Sequence, residues 1–148
     1  MSAGAPGTKR EWILFVYDAS MSGLPEASRL AGGRSLGPAA TEPRYDLVDL
    51  GTHVALVPGG TVSVRGELYA LEPAQLARLD VENASRLLQR RGRVRLEDGR
   101  EVEAYTLEAD QVRGRRRIRS GDYRAQLTTS APARGETAWS QWAKNRRR

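Results

Sequence analysis

Short apolar runs separated by glycine, proline and small polar clusters dominate the chain, and their spacing predicts more strands than helices. Trp12–Tyr17 is continuously apolar over a strand's length. Such a run fits a strand buried on both faces, near the centre of a sheet. It breaks into Asp18-Ala19-Ser20-Met21-Ser22-Gly23, a loop leaving the end of that strand, and residues 25–31 are expected to form a short helix with Pro25 in its first turn. Residues 44–50 and 53–57 read as two strands, the second closed by the turn signal Pro58-Gly59-Gly60. Residues 61–71 alternate as a strand, with Gly66 marking a bulge or a close approach. Glu72-Pro73 opens a helix whose apolar stripe is Leu76, Leu79 and Leu87. Alternation on both sides of Asp98-Gly99 predicts a hairpin of 93–96 with 101–105.

The pattern sums to an α+β chain: a small mixed β-barrel or sheet with a few flanking short helices. Small residues dominate the start, so 1–10 is expected to be a flexible lead. One domain spans 11–130, and 131–148 is a basic tail in which Trp139 and Trp142 suggest a short helix.

Composition narrows the chemistry. The 148 residues contain no cysteine and one histidine, His53. Disulfide frameworks, thiolate zinc sites and cysteine nucleophiles are thereby excluded, and multi-histidine metal sites with them. His53, in an apolar stretch, reads as a hydrogen-bonded structural residue. No apolar run approaches the ~20 residues of a membrane span. A secretory signal is also lacking, so a cytoplasmic location without membrane contact is expected. The net charge is +6, but the tail alone sets five basic residues against one acidic residue. Charge of this kind argues against nucleic acid as the partner. Arg113–Arg119 is a second basic run, explained equally well by a solvated edge. Exposed strand edges and the tryptophan pair leave room for a homodimer.

Two features carry candidate chemistry. Backbone amides of the Tyr17–Gly23 loop could cradle an anionic group, with Asp18 opposing an anion unless it points away. Glu82, in Leu79-Asp80-Val81-Glu82-Asn83, could act as a general base beside an apolar pocket, and Asp80 is equally available.

In order and spacing, these segments resemble the gamma-glutamylcyclotransferase-like family. Val16–Gly23 matches its V-Y-G-T-L-x-x-G loop, and Tyr45–Gly51 with Ala55–Val57 its Y-x-L-x-D-L-G-x-x-P-A-L-V stretch. Val64-Arg65-Gly66-Glu67-Leu68-Tyr69 matches V-x-G-E-L-Y, Leu76–Asp80 matches L-A-R-L-D, and Ser120–Arg124 matches S-G-D-W-R. The resemblance implies a small barrel with a cavity where a gamma-glutamyl compound is cleaved, releasing 5-oxoproline without metal or cofactor. Glu82 would be the catalytic acid/base. Tyr17, Asp18, Ala19, Ser20, Gly23 and Tyr123 would bind this small-molecule substrate. The chain departs from the pattern at Asp18, Ala19 and Ser20, which stand for glycine, threonine and leucine. It departs again at Asn83, which occupies the glutamate position one residue after Glu82. A non-catalytic member binding a ligand or a protein partner stands as the alternative.

Overall fold

The computed structural model describes residues 11–130. The expected lead, tail and tryptophan helix lie outside the described residues.

The first apolar run becomes β1 (Trp12–Val16), which pairs antiparallel with β5 (Arg65–Leu71) and parallel with β7 (Glu101–Thr106). Its side chains alternate between two cores. Leu14 and Val16 pack with Tyr69, Leu76 and Leu79, whereas Phe15 and Tyr17 pack with Leu47, Leu56 and Leu68. Burial on both faces is what the unbroken run predicted. The other strands are β2 (Arg34–Ala40), β3 (Tyr45–Asp49), β4 (Val54–Pro58), β6 (Arg90–Arg95) and β8 (Arg116–Arg117). They form one mixed sheet in the order β2-β5-β1-β7-β4-β3-β8, with β6 paired to β7 as the expected hairpin.

The barrel form of the expectation is corrected to an open sheet. Past their ends, β2 and β6 meet through an isolated Thr41–Leu96 bridge, with the Glu97 amide on the Ala40 carbonyl at 2.9 Å and the Glu42 amide on the Arg95 carbonyl at 3.0 Å. Pro38, two residues before Ala40 on that edge, has no amide to extend this pairing into a continuous closing ladder.

Three elements differ from the sequence reading. β2 holds Gly37 and Pro38 and forms at the sheet's edge, where a missing amide is tolerated, with a register shift between Ser35 and Gly37. β8 is a two-residue strand on β3. The helix expected over 25–31 is a single 3₁₀ turn, Ala27–Leu30. Gly66 is a close approach, not a bulge: a Cβ there would run into the Val16 carbonyl oxygen.

Among the described residues, two α-helices flank the sheet. α1 (Pro73–Leu87) starts with a reciprocal capping box between Glu72 and Gln75 and buries Leu76, Leu79 and Asn83. Residues three and seven positions after Leu76 share its face, so the inward stripe runs through Asn83. α2 (Tyr123–Ser130) carries Tyr123 and Arg124. Among the described residues, no helix is long and apolar enough to cross a membrane.

Candidate functional site

The loop after β1 folds against the inward face of α1. Asp18 anchors its turn: its carbonyl accepts the Met21 amide at 3.1 Å and its Oδ1 accepts the Ser20 amide at 2.9 Å. The far end is tied elsewhere. Glu67 accepts hydrogen bonds from the Ser22 amide, the Ser22 hydroxyl and Tyr69, while Arg124 donates to both Glu67 and the Ser22 carbonyl. Burial alone would raise the Glu67 carboxyl, but these donors hold it below the usual carboxylate range.

Between loop and helix lies a cavity of about 20 Å³, lined by Tyr17, Asp18, Ser20, Arg29, Asn83 and apolar neighbours. It holds roughly one water. Arg29 narrows it: its guanidinium donates to Ser20 Oγ at 3.0 Å and pairs with Glu82 at 3.4 Å and Glu26 at 3.7 Å. Asn83 is tethered by its amide nitrogen to the Leu79 carbonyl at 2.8 Å. The Tyr17 hydroxyl donates to the Tyr105 carbonyl at 2.8 Å, and burial keeps this phenol protonated across the ordinary pH range.

Asp18 also faces a second, larger cavity of about 220 Å³, lined with Ala19, Glu26, His53, Arg86 and Tyr123 among others. Burial raises the Asp18 carboxyl above its usual value, against the stabilising Ser20 amide and the Arg29 charge. A carboxylate so placed is a stronger base than a solvated one and attracts an ammonium group. Arg29, which lines the small cavity with it, attracts a carboxylate.

The residues expected from sequence are thus dispersed in a definite way. Tyr17, Asp18 and Ser20 line the small cavity; Asp18, Ala19 and Tyr123 line the larger one. Gly23 lines neither; at φ 79° it serves the turn. Glu82 is not among the lining residues of either cavity and pairs with Arg29, because one residue on a helix is a rotation of ~100°. Asp80 is held by Arg91 at 2.9 Å and by the Tyr105 hydroxyl at 2.7 Å, a structural duty. Arg29 was missed. Its only sequence signal is a lone cation in a stretch of small residues, which does not distinguish a lining residue from a solvated one. Among the described residues, no group of three or more acidic or histidine side chains could hold a metal.

Comparison with known proteins agrees with the segment order. Residues 14–125 match the family model "Gamma-glutamyl cyclotransferase, AIG2-like". A Vibrio cholerae protein named "Putative gamma-glutamylcyclotransferase" is 38% identical over 69 residues, a match spanning 47% of this chain and 59% of that relative. The crystal structure of c4763, a uropathogenic E. coli-specific protein, is similar at a TM-score of 0.72 and 25% identity, over 80% of this chain and 97% of that one. Part of Kluyveromyces lactis allophanate hydrolase shares the fold alone, at a TM-score of 0.68 and 19% identity over 85% of this chain and 22% of that one. With the family model covering most of the chain and the same motifs building the loop, the sheet and the helix face, this chain belongs to the AIG2-like gamma-glutamyl cyclotransferase family.

Proposed function

We propose that the chain binds the α-amino-acid head of a gamma-glutamyl compound between Asp18 and Arg29 and cleaves it to 5-oxoproline. The observation that carries this reading is the pair of opposite charges, Asp18 and Arg29, lining the same small cavity, matching an α-ammonium and an α-carboxylate. The ligand lies in the larger cavity with its amino group at Asp18, and its carboxylate displaces Glu82 from the Arg29 guanidinium, a movement that widens the small cavity beyond the single water it otherwise holds. Asp18 takes one proton from the α-ammonium. The freed nitrogen attacks the γ-carbonyl carbon, and the bond from that carbon to the leaving nitrogen breaks. Asp18 returns its proton to the departing amine, and the surplus proton on the ring nitrogen passes to water. Because nucleophile and carbonyl share one molecule, fixing the head supplies much of the rate. The base role expected of Glu82 passes in this proposal to Asp18, the carboxylate that faces both cavities with a raised pKa.

The test is 5-oxoproline release from a panel of gamma-glutamyl amines. Asp18→Asn is expected to lose roughly 100-fold or more, the range of a general acid/base, while Glu82→Gln stays within several-fold of wild type. Full activity in Asp18→Asn would refute the assignment. A second reading is non-catalytic binding at the same cavities, favoured by the tethered amide of Asn83 on the helix face where the family carries its glutamate. Head-group binding without turnover in wild type would establish it.

A further inference from the structure

The basic run over 113–119 has no part in the site at Asp18. Five of its seven residues are arginines, and β8, at one end of the sheet order, consists of two of them, Arg116 and Arg117. Residues 11–130 carry equal numbers of basic and acidic side chains, so this charge is a local excess rather than the character of the whole fold.

The fold neutralises part of it. Asp46 pairs with Arg117 at 2.9 Å and Asp49 with Arg116 at 3.7 Å. Among the described residues, the Arg115 guanidinium reaches only the Leu50 carbonyl, at 3.4 Å, and those of Arg113 and Arg119 have no hydrogen bond or ion pair. Three guanidinium groups are thus left without a carboxylate, the partner that their planar fork fits best. Two hollows, of about 540 and 650 Å³, lie along this edge and share Arg116, Arg117 and Arg119.

The backbone of the same residues is open as well. The Ile118 amide donates to the Leu47 carbonyl at 2.7 Å, so the alternation of antiparallel pairing turns the Arg117 N–H and C=O away from β3. Among the described residues, no strand pairs on that side of β8. An extended polypeptide satisfies such an edge by adding a strand to it. Charge then selects the polypeptide. A second copy at this edge would set arginine against arginine, a pairing that repulsion disfavours, and the chain's own tail is basic. No aromatic side chain lines either hollow, so a nucleic acid would find partners for its phosphates and nothing on which to stack its bases.

We propose that β8 and its neighbouring arginines form a docking edge for an acidic, extended segment of another protein, which pairs with the Arg117 backbone while its carboxylates take the guanidinium groups of Arg115 and Arg119. Neither hollow shares a residue with the cavities that Asp18 lines, so the edge works independently of the chemistry there.

The probe is a capped octapeptide of alternating glutamate and threonine, which sets all its carboxylates on one face of a strand. Its lysine–threonine counterpart controls for the backbone, and an oligothymidylate of equal length for polyanion charge. With the full chain labelled on backbone nitrogen, the acidic peptide is expected to shift the amides of 115–119 and to slow solvent exchange of the Arg117 amide. It should bind about tenfold or more tightly than the oligonucleotide, and the lysine peptide should shift nothing there. Arg115→Glu combined with Arg119→Glu should weaken the acidic peptide about tenfold or more. Arg78→Glu combined with Arg90→Glu makes the same change of net charge at two exposed positions elsewhere and should leave its affinity within about twofold. Equal losses in the two double variants would overturn the docking edge and leave an attraction of net charge or of the tail. Tighter binding of the oligonucleotide at the same amides would overturn the peptide in favour of nucleic acid. An Arg117 amide that exchanges as fast with the peptide as without it would overturn the strand pairing.

Discussion

Two carboxylates hold opposite ends of the same loop, and their surroundings push them in opposite directions. Glu67 collects donors from Ser22, Tyr69 and Arg124 and is lowered. Asp18, four residues earlier in the loop than Ser22, receives the Ser20 amide, is desolvated, and is raised. A carboxylate saturated by fixed donors is content as a charge and serves the fold. A carboxylate stripped of water, with room beside it for a ligand, holds capacity for a proton or a cation. The loop is thus latched at Ser22 and chemically open at Asp18.

Exchanging each carboxylate for its amide is the sharpest way to break this comparison. Asp18→Asn is expected to remove 5-oxoproline release by the roughly 100-fold given above, and Glu67→Gln to cost less than about tenfold, since it slackens a latch without touching the reacting atoms. Equal losses would erase the distinction. Arg29→Gln should come next. Losing a charge-assisted hydrogen bond of ~1.5–3 kcal/mol to the α-carboxylate predicts a KM about 10- to 100-fold higher, with kcat less affected. Steady-state kinetics on a single gamma-glutamyl amine reads that split.

The smallest effect is on stability, and its sign is the informative part. The lowered Glu67 stabilises the fold above its ordinary value of 4.5, and that contribution disappears as pH falls through the folded-state value. Glu67→Gln should therefore be less stable than wild type at pH 7, with the gap closing in acid. For the raised Asp18 the sign reverses: its contribution is fully present below 3.8 and is lost as pH rises through the folded-state value. Asp18→Asn should melt higher than wild type at pH 7, by roughly a few degrees, with the difference vanishing below pH 3.8. Thermal melts across pH check both. A lower melting temperature for Asp18→Asn at pH 7 would mean that the carboxylate serves the fold after all.

Much of the fold was legible because it depends on local pattern. The continuous run at Trp12–Val16 announced a central strand, Pro73 announced α1, and Asp98-Gly99 announced the β6–β7 hairpin. β2 was illegible because Gly37 and Pro38 contradict strand propensity, and only its edge position on β5 makes them acceptable. β8 is too short, at two residues, to leave a pattern. The site was legible by position along the chain more than by direction of side chains. The sequence singles out the loop and Tyr123 as candidates, but whether Glu82 or Asn83 faces inward depends on how α1 is rotated against Leu14 and Val16. The place of Arg29 in the cavity depends on its pairing with Glu82, 53 positions further along the chain, which no local motif encodes.

The central proposal is that Asp18 and Arg29, lining the same small cavity, read an α-amino-acid head. Calorimetry with L-glutamine, its analogue lacking the α-amine and its analogue lacking the α-carboxylate tests it most directly. The account predicts that L-glutamine binds, that each truncation weakens binding about tenfold or more, and that the deaminated analogue no longer distinguishes wild type from Asp18→Asn. Equal affinity of wild type for all three would contradict it.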